Sequence, residues 1–202
     1  MRRHSAALAA AVLVLAGCAG IGGDDAGTIE AGDLPNLVVQ PDDLTGSWLL
    51  FDEGPQAQAD APVGARADPT RFGRVDGWKA RYRRSGYAAT RGPLVVESRA
   101  DLFGGVDGAK DDFRALEEDV EAGRLLSSGE RLDAPALGDE TVAATLVQGE
   151  GAAALRYFVI AWRHDAVTAS VLVNGFDGGM KFSHAVELAR KQQRRIEAAS
   201  AQ

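Results

Sequence analysis

Apolar residues recur along this chain in two periods, and the switch between them outlines the fold. Trp78, Ala80 and Tyr82 alternate with Lys79, Arg81 and Arg83, the period of two that marks a half-buried strand. A turn punctuated by Gly86 and Arg91-Gly92-Pro93 follows, and Leu94 to Phe103 reads as the next strand. The spacing then changes. Val106, Ala109, Phe113, Leu116 and Val120 fall three and four apart, which puts them on one face of a helix. Asp107, Asp111 and Asp112 sit in its first turns, where negative charge complements the helix dipole, and Gly123 supplies a stop.

Three further strands are predicted over Thr141 to Val147, Leu155 to Arg163 and Val167 to Asn174, the last two joined through His164-Asp165 at hairpin spacing. A closing helix runs from about Met180 to Ala199. Phe182, Ala185, Val186, Ala189 and Ile196 face inward on it, and Arg190, Lys191, Arg194 and Arg195 gather toward its C-terminal end, as the dipole favours. Upstream, Pro41 to Leu44 reads as a helical turn and Ser47 to Phe51 as a strand. The order is β-β-β-α-β-β-β-α, an α+β fold with helices packed on an antiparallel sheet. Phe113, Leu116, Phe158, Ile160, Trp162, Val171 and Phe182 are the expected core.

The first residues obey neither period. Arg2 and Arg3 precede an apolar run, Ala6 to Gly17, and Leu15-Ala16-Gly17-Cys18 closes it. That is a secretory signal with small residues at its cleavage point, too short to be a transmembrane span, which needs about 20 apolar residues. Leu15 to Cys18 resembles a lipobox. The resemblance implies cleavage between Gly17 and Cys18, acylation of the Cys18 thiol, and attachment to the outer, extracytoplasmic face of the bacterial cell membrane. Residues 1–17 are therefore assigned to the signal and 18–36, rich in glycine and acids, to a flexible tether. Residues 37–199 form one domain, with a mobile loop at about 53–70 marked by Pro55, Pro62 and Pro69.

Composition narrows the class. Cys18 is the only cysteine, so no disulfide forms within the chain and the domain relies on its core. The net charge is −7 and becomes more negative by two when Arg2 and Arg3 leave with the signal. Such a chain is a poor match for nucleic acid, whose binding is dominated by phosphate neutralisation.

Two short motifs carry a wider resemblance. Leu94-Val95-Val96-Glu97-Ser98 with Leu102-Phe103, Ala109 and Phe113 is similar to the strand-then-helix half of actinobacterial lipoproteins and sensor domains with a PsbP-like fold. The LpqN-type lipoproteins and the extracellular sensor of PknH-type kinases are of this kind. Ala136-Leu137-Gly138-Asp139-Glu140, followed by Phe158 to Asp165 entering a hairpin, resembles their second half. Their hairpin turn is written Arg-x-Gly-Asn; here it reads Arg163-His164-Asp165. The resemblance spans roughly residues 37–199 and implies a binding or sensor role outside the cytoplasm. It transfers no catalytic residue.

The side chains able to do chemistry are few. His164 beside Asp165 is either an oriented base or part of an exposed hairpin tip. His184 follows Ser183 on the last helix, where adjacent residues do not face one another. An envelope hydrolase using His164 or His184 is the alternative to a non-enzymatic binding module, and the binding reading expects both histidines to be dispensable. Gly149 to Ala154 fits G-x-G-x-x-A, but the β-branched and aromatic run Tyr157 to Trp162 follows instead of the helix that dinucleotide binding requires. The acids Asp107, Asp111, Asp112, Glu117, Glu118, Asp119 and Glu121 lack the alternation of a calcium loop and read as the solvated face of the first helix. No metal or cofactor is expected. Lys79, Arg81 and Arg83, with Arg84 beside them, are the one basic cluster. They form either a patch for an anionic ligand or headgroup, or a solvated sheet face, or a set of partners for the acidic helix. The expected partners are the membrane, through the acyl chains, and a small ligand or envelope protein.

Overall fold

The computed structural model describes residues 28–56, 68–122 and 129–202. The signal, Gly17, Cys18, Gly123 and the middle of the 53–70 loop lie outside the described residues. Among the described residues seven strands form a single antiparallel sheet. They are β1 (Leu49–Pro55), β2 (Arg74–Arg83), β3 (Val95–Phe103), β4 (Glu130–Leu132), β5 (Glu140–Gln148), β6 (Leu155–His164) and β7 (Val167–Phe176), in spatial order β1-β2-β3-β7-β6-β5-β4. The helices are α1 (Leu34–Leu37), α2 (Val106–Glu121) and α3 (Phe182–Ser200). The α+β architecture follows the predicted order with two additions, α1 before β1 and the three-residue β4 between α2 and β5.

The strand-by-strand alternation explains the layers, because successive side chains leave the sheet on opposite faces. Tyr82, Val96, Ala100, Ile160, Trp162, Val171 and Val173 share one face and form the larger core with α1 and with Ala185, Leu188, Ala189 and Ile196 of α3. Val142, Ala144, Val159, Ala161 and Leu172 point to the other face, where Phe113, Leu116 and Val120 of α2 cover them. Of the predicted core residues, Phe182 is the exception: it is only half-buried and stacks at 5.5 Å on Phe158.

The packed chain begins earlier than residue 37. Leu34 is fully buried, Ile29 and Ala31 pack against the larger core, and the Tyr82 hydroxyl donates to the Val39 carbonyl at 2.9 Å. Residues 28–36 are therefore part of the fold, not of the tether. The edges of the predicted loop are also regular: β1 runs to Pro55, and Pro69–Phe72 form a 3-10 turn behind an Asp68 cap.

Two readings of charged helix faces need correction. Asp112 and Asp119 are buried; they stand at the same three-and-four spacing as Ala109, Phe113, Leu116 and Val120, so they belong to the inward face. Asp112 accepts from the Thr168 hydroxyl at 3.0 Å. The basic residues of α3 do not crowd its last turn, which holds none. Arg195 and Lys191 instead reach across to Asp43, as an ion pair at 3.0 Å and a hydrogen bond to its carbonyl at 2.6 Å.

The two parts of the second motif, Ala136 to Glu140 and Phe158 to Asp165, touch each other. Arg163, buried on β6, donates to Asp139 and Glu140, each at 2.6 Å, and the Asp165 amide donates to the same Asp139 carboxylate at 2.9 Å. Asp165 takes a left-handed conformation, φ 50°, which aspartate tolerates better than most side chains. It thus fills the place of the glycine in Arg-x-Gly-Asn. The motif is a structural clasp on the β6–β7 hairpin.

Candidate functional site

Helix α2 lies over β3 and β5–β7, and the charged side chains of this face gather beside it, on β1–β3. Lys79 and Arg81 both pair with Asp52 of β1, at 3.1 and 3.2 Å, and Arg81 also pairs with Glu97 of β3 at 3.0 Å. Glu97 pairs with Arg99 at 2.7 Å, and Arg74 pairs with Asp101 at 2.9 Å. Lys79 keeps only 7% of its surface exposed. The hydrogen bond from Lys79, with help from Arg81, holds the Asp52 carboxyl below the ordinary range against the opposing effect of burial. The cluster is therefore neither solvated nor paired with the acidic helix; its partners are the neighbouring strands. Lys79 and Arg81 are both engaged within the fold, and removing Asp52 would leave the buried Lys79 charge uncompensated. Arg83 differs: it is exposed and stacks 5.4 Å over the Phe51 ring.

Each of the two described histidines lines a concavity, at opposite ends of the sheet. His164 borders a cleft of about 440 Å³ with Ile29, Leu102, Phe103, Val106 and Ser200. Its Nδ1 lies 3.3 Å from the Gln193 amide nitrogen, and its Nε2 is 3.9 Å from Asp165, beyond hydrogen-bond reach. The Ser200 hydroxyl donates to the Ile196 carbonyl at 3.1 Å. Among the described residues no carboxylate lies within hydrogen-bond reach of His164, and its side-chain contact is to the Gln193 amide. His184 uses its Nδ1 to accept the Lys181 amide at 3.1 Å, closing the first turn of its own helix. Burial, then the Lys181 charge, lowers its pKa below the ordinary histidine range; Arg84 adds to this and Glu187 opposes it.

The His184 end is the more developed site. A cavity of about 250 Å³ is floored by Leu44, Trp48, Pro93, Val96 and Leu188, with Arg84 and His184 at its wall. Arg84 is the last residue of the basic cluster, just beyond β2. Its Nε donates to the Pro93 carbonyl and its Nη2 to the Arg91 carbonyl, both at 2.6 Å, and its guanidinium lies 5.1 Å over the Trp48 ring. No carboxylate among the described residues pairs with it. The acids at the cavity have partners elsewhere, Asp43 in Arg195 and Glu187 in Lys191. Sequence reasoning found Arg84 only as a member of the cluster. The cavity joins residues 43–48, 84–96 and 184–188, a juxtaposition that no local pattern announces.

Two other features stay structural. Edge strand β1 exposes Leu49, Leu50 and Phe51, but a bulge at Phe51, the charges Asp52 and Glu53, and Pro55 blunt it against strand addition. No group of acids and histidines among the described residues could hold a metal ion.

The class of fold is thus a seven-stranded antiparallel sheet with helices on both faces. It is shared with the crystal structure of the extracellular domain of PknH from Mycobacterium tuberculosis, at a TM-score of 0.63 over 84% of this chain and 97% of that one. Identity over the match is 11%, so the likeness is one of fold. No family model matches the chain, and no curated protein matches it. No described helix is long and apolar enough to cross a membrane.

Proposed function

We propose that this chain is an extracytoplasmic lipoprotein, cut before Cys18 and acylated there, whose domain binds a ligand or partner and performs no chemistry on it. The signal pattern of residues 1–18 supports the address, and the fold shared with an extracellular domain fits it. The observation that carries the binding reading is Arg84. A guanidinium fixed by two backbone carbonyls at the wall of a cavity with an apolar floor, with no carboxylate of its own, is a preorganised receptor for an anion. The two described histidines, by contrast, have no carboxylate among the described residues within hydrogen-bond reach to orient them: His184 accepts the Lys181 amide and His164 meets the Gln193 amide.

The alternative, an envelope hydrolase using His164 or His184, predicts a nucleophile. Full-length protein treated with a fluorophosphonate probe is expected to stay unmodified, and His164→Ala to keep its biological activity once correctly anchored. Labelling of Ser183 or Ser200, or a folded and anchored His164→Ala without activity, would replace binding by hydrolysis.

A further inference from the structure

We infer that the Arg84 cavity takes a single-chain anionic amphiphile, with its charged head on Arg84 and its hydrocarbon chain on the apolar floor. This rests on the binding reading above and names the ligand class for the same site. Three observations converge on it. The first is charge: Arg84 has no ion pair among the described residues, whereas the acids that line the same cavity, Asp43 and Glu187, are paired with Arg195 and Lys191. Three of the five N–H groups of the Arg84 fork remain open for an acceptor, since only two are spent on the Pro93 and Arg91 carbonyls.

The second is continuity. An open groove lined by Ser47, Trp48, Leu49, Arg83, Arg84 and Ser85 meets the cavity along Trp48 and Arg84. The groove offers the Arg84 guanidinium with Ser47 and Ser85 alongside, and the cavity floor beyond it offers Leu44, Pro93, Val96 and Leu188. A polar head and an apolar tail are thus received in adjoining compartments, with the Trp48 ring between them.

The third is size. At about 250 Å³ the cavity lies below the usual range for drug-sized ligands, about 300–1,000 Å³. That volume matches one short chain better than the two chains of a membrane phospholipid, so the occupant assigned to it is a single-chain amphiphile.

The test uses the full chain carrying Cys18→Ser, so that binding is read independently of the anchor, with calorimetry and Trp48 fluorescence as readouts. Decanoate below its micelle concentration is expected to bind saturably. Decanol, which lacks the charge, and acetate and inorganic phosphate, which lack the chain, are each expected to bind at least about tenfold more weakly. Shortening the chain to octanoate should weaken binding by roughly an order of magnitude. Arg84→Gln should lose the preference for decanoate over decanol, and Arg84→Lys should recover part of it. Because Arg84 also fastens the 91–93 turn, Leu44→Trp provides a second variant, filling the floor and abolishing decanoate binding without touching the cation. Equal affinity for decanol and decanoate, an unchanged Arg84→Gln, phosphate binding as well as decanoate, or binding only to phosphatidylglycerol vesicles would each overturn the assignment. Fluorophosphonate labelling would overturn the binding reading instead, so the two failures are distinguishable.

Discussion

Phe113→Ala is expected to destabilise the domain by about 3–5 kcal/mol. Phe113 is buried at the centre of the smaller core, where α2 meets Val142, Ala144, Val159, Ala161 and Leu172. Those partners include two alanines, which cannot reach across to fill the space the ring leaves. Loss of the ring also weakens the hold on Leu116 and Val120, its neighbours on the same helical face. With total stabilities of about 5–15 kcal/mol usual for a domain, such a loss is a large share of the whole. Urea unfolding would read it as a lower midpoint at constant slope. A change below about 1 kcal/mol would mean that α2 is not packed through this residue.

Gly138→Ala is expected to cost a similar amount, for a different reason. Gly138 has φ +53°, and a Cβ placed there would lie 2.2 Å from the Arg163 carbonyl oxygen. The left-handed conformation alone costs a non-glycine residue about 1–2 kcal/mol. The clash adds more, because the obstacle is backbone: the Arg163 carbonyl accepts the Asp139 amide at 2.8 Å. Moving that carbonyl also loosens the bonds from Arg163 to Asp139 and Glu140. Gly151→Ala is the internal control, since φ there is +64° and the space around it is open. The two variants share the conformational penalty and differ in the clash. Equal unfolding midpoints for both would refute the clasp.

Much of the fold was legible because its strands and helices leave different marks. β2 alternates from Trp78 to Arg83, β3, β5, β6 and β7 stand out as runs rich in apolar and β-branched residues that are buried on both faces, and α2 and α3 keep their apolar spacing for several turns. β4 was not legible: Glu130-Arg131-Leu132 is too short and too polar to show alternation, and only pairing with β5 makes it a strand. α1 was hidden by the glycines and acids around it, although Leu34 and Leu37 stand at helical spacing. The polar half of each pattern misled most. Asp112, Gln192 and Gln193 are buried because specific partners satisfy them: the Thr168 hydroxyl donates to Asp112 at 3.0 Å, the Trp162 indole donates to Gln193 at 2.7 Å, and Ser98 donates to Gln192 at 2.7 Å. Lys79 is buried for the same reason. Alternation tells which face a side chain takes; whether that face meets water depends on what lies above it, and for Lys79 the carboxylate comes from Asp52, across the 53–70 loop in sequence. The site was the least legible part. Arg84 looks like one more arginine after β2 until the 91–93 carbonyls close on it and α3 brings His184 and Leu188 alongside.

The central claim is a binding domain held outside the cytoplasm by lipid at Cys18, and intact-mass measurement of the membrane-extracted protein tests it most directly. The mature chain is expected to begin at Cys18 and to exceed its polypeptide mass by at least a diacylglyceryl group, with Cys18→Ser leaving the membrane fraction. A mature N-terminus elsewhere, an unmodified Cys18, or Cys18→Ser retained in the membrane would contradict it.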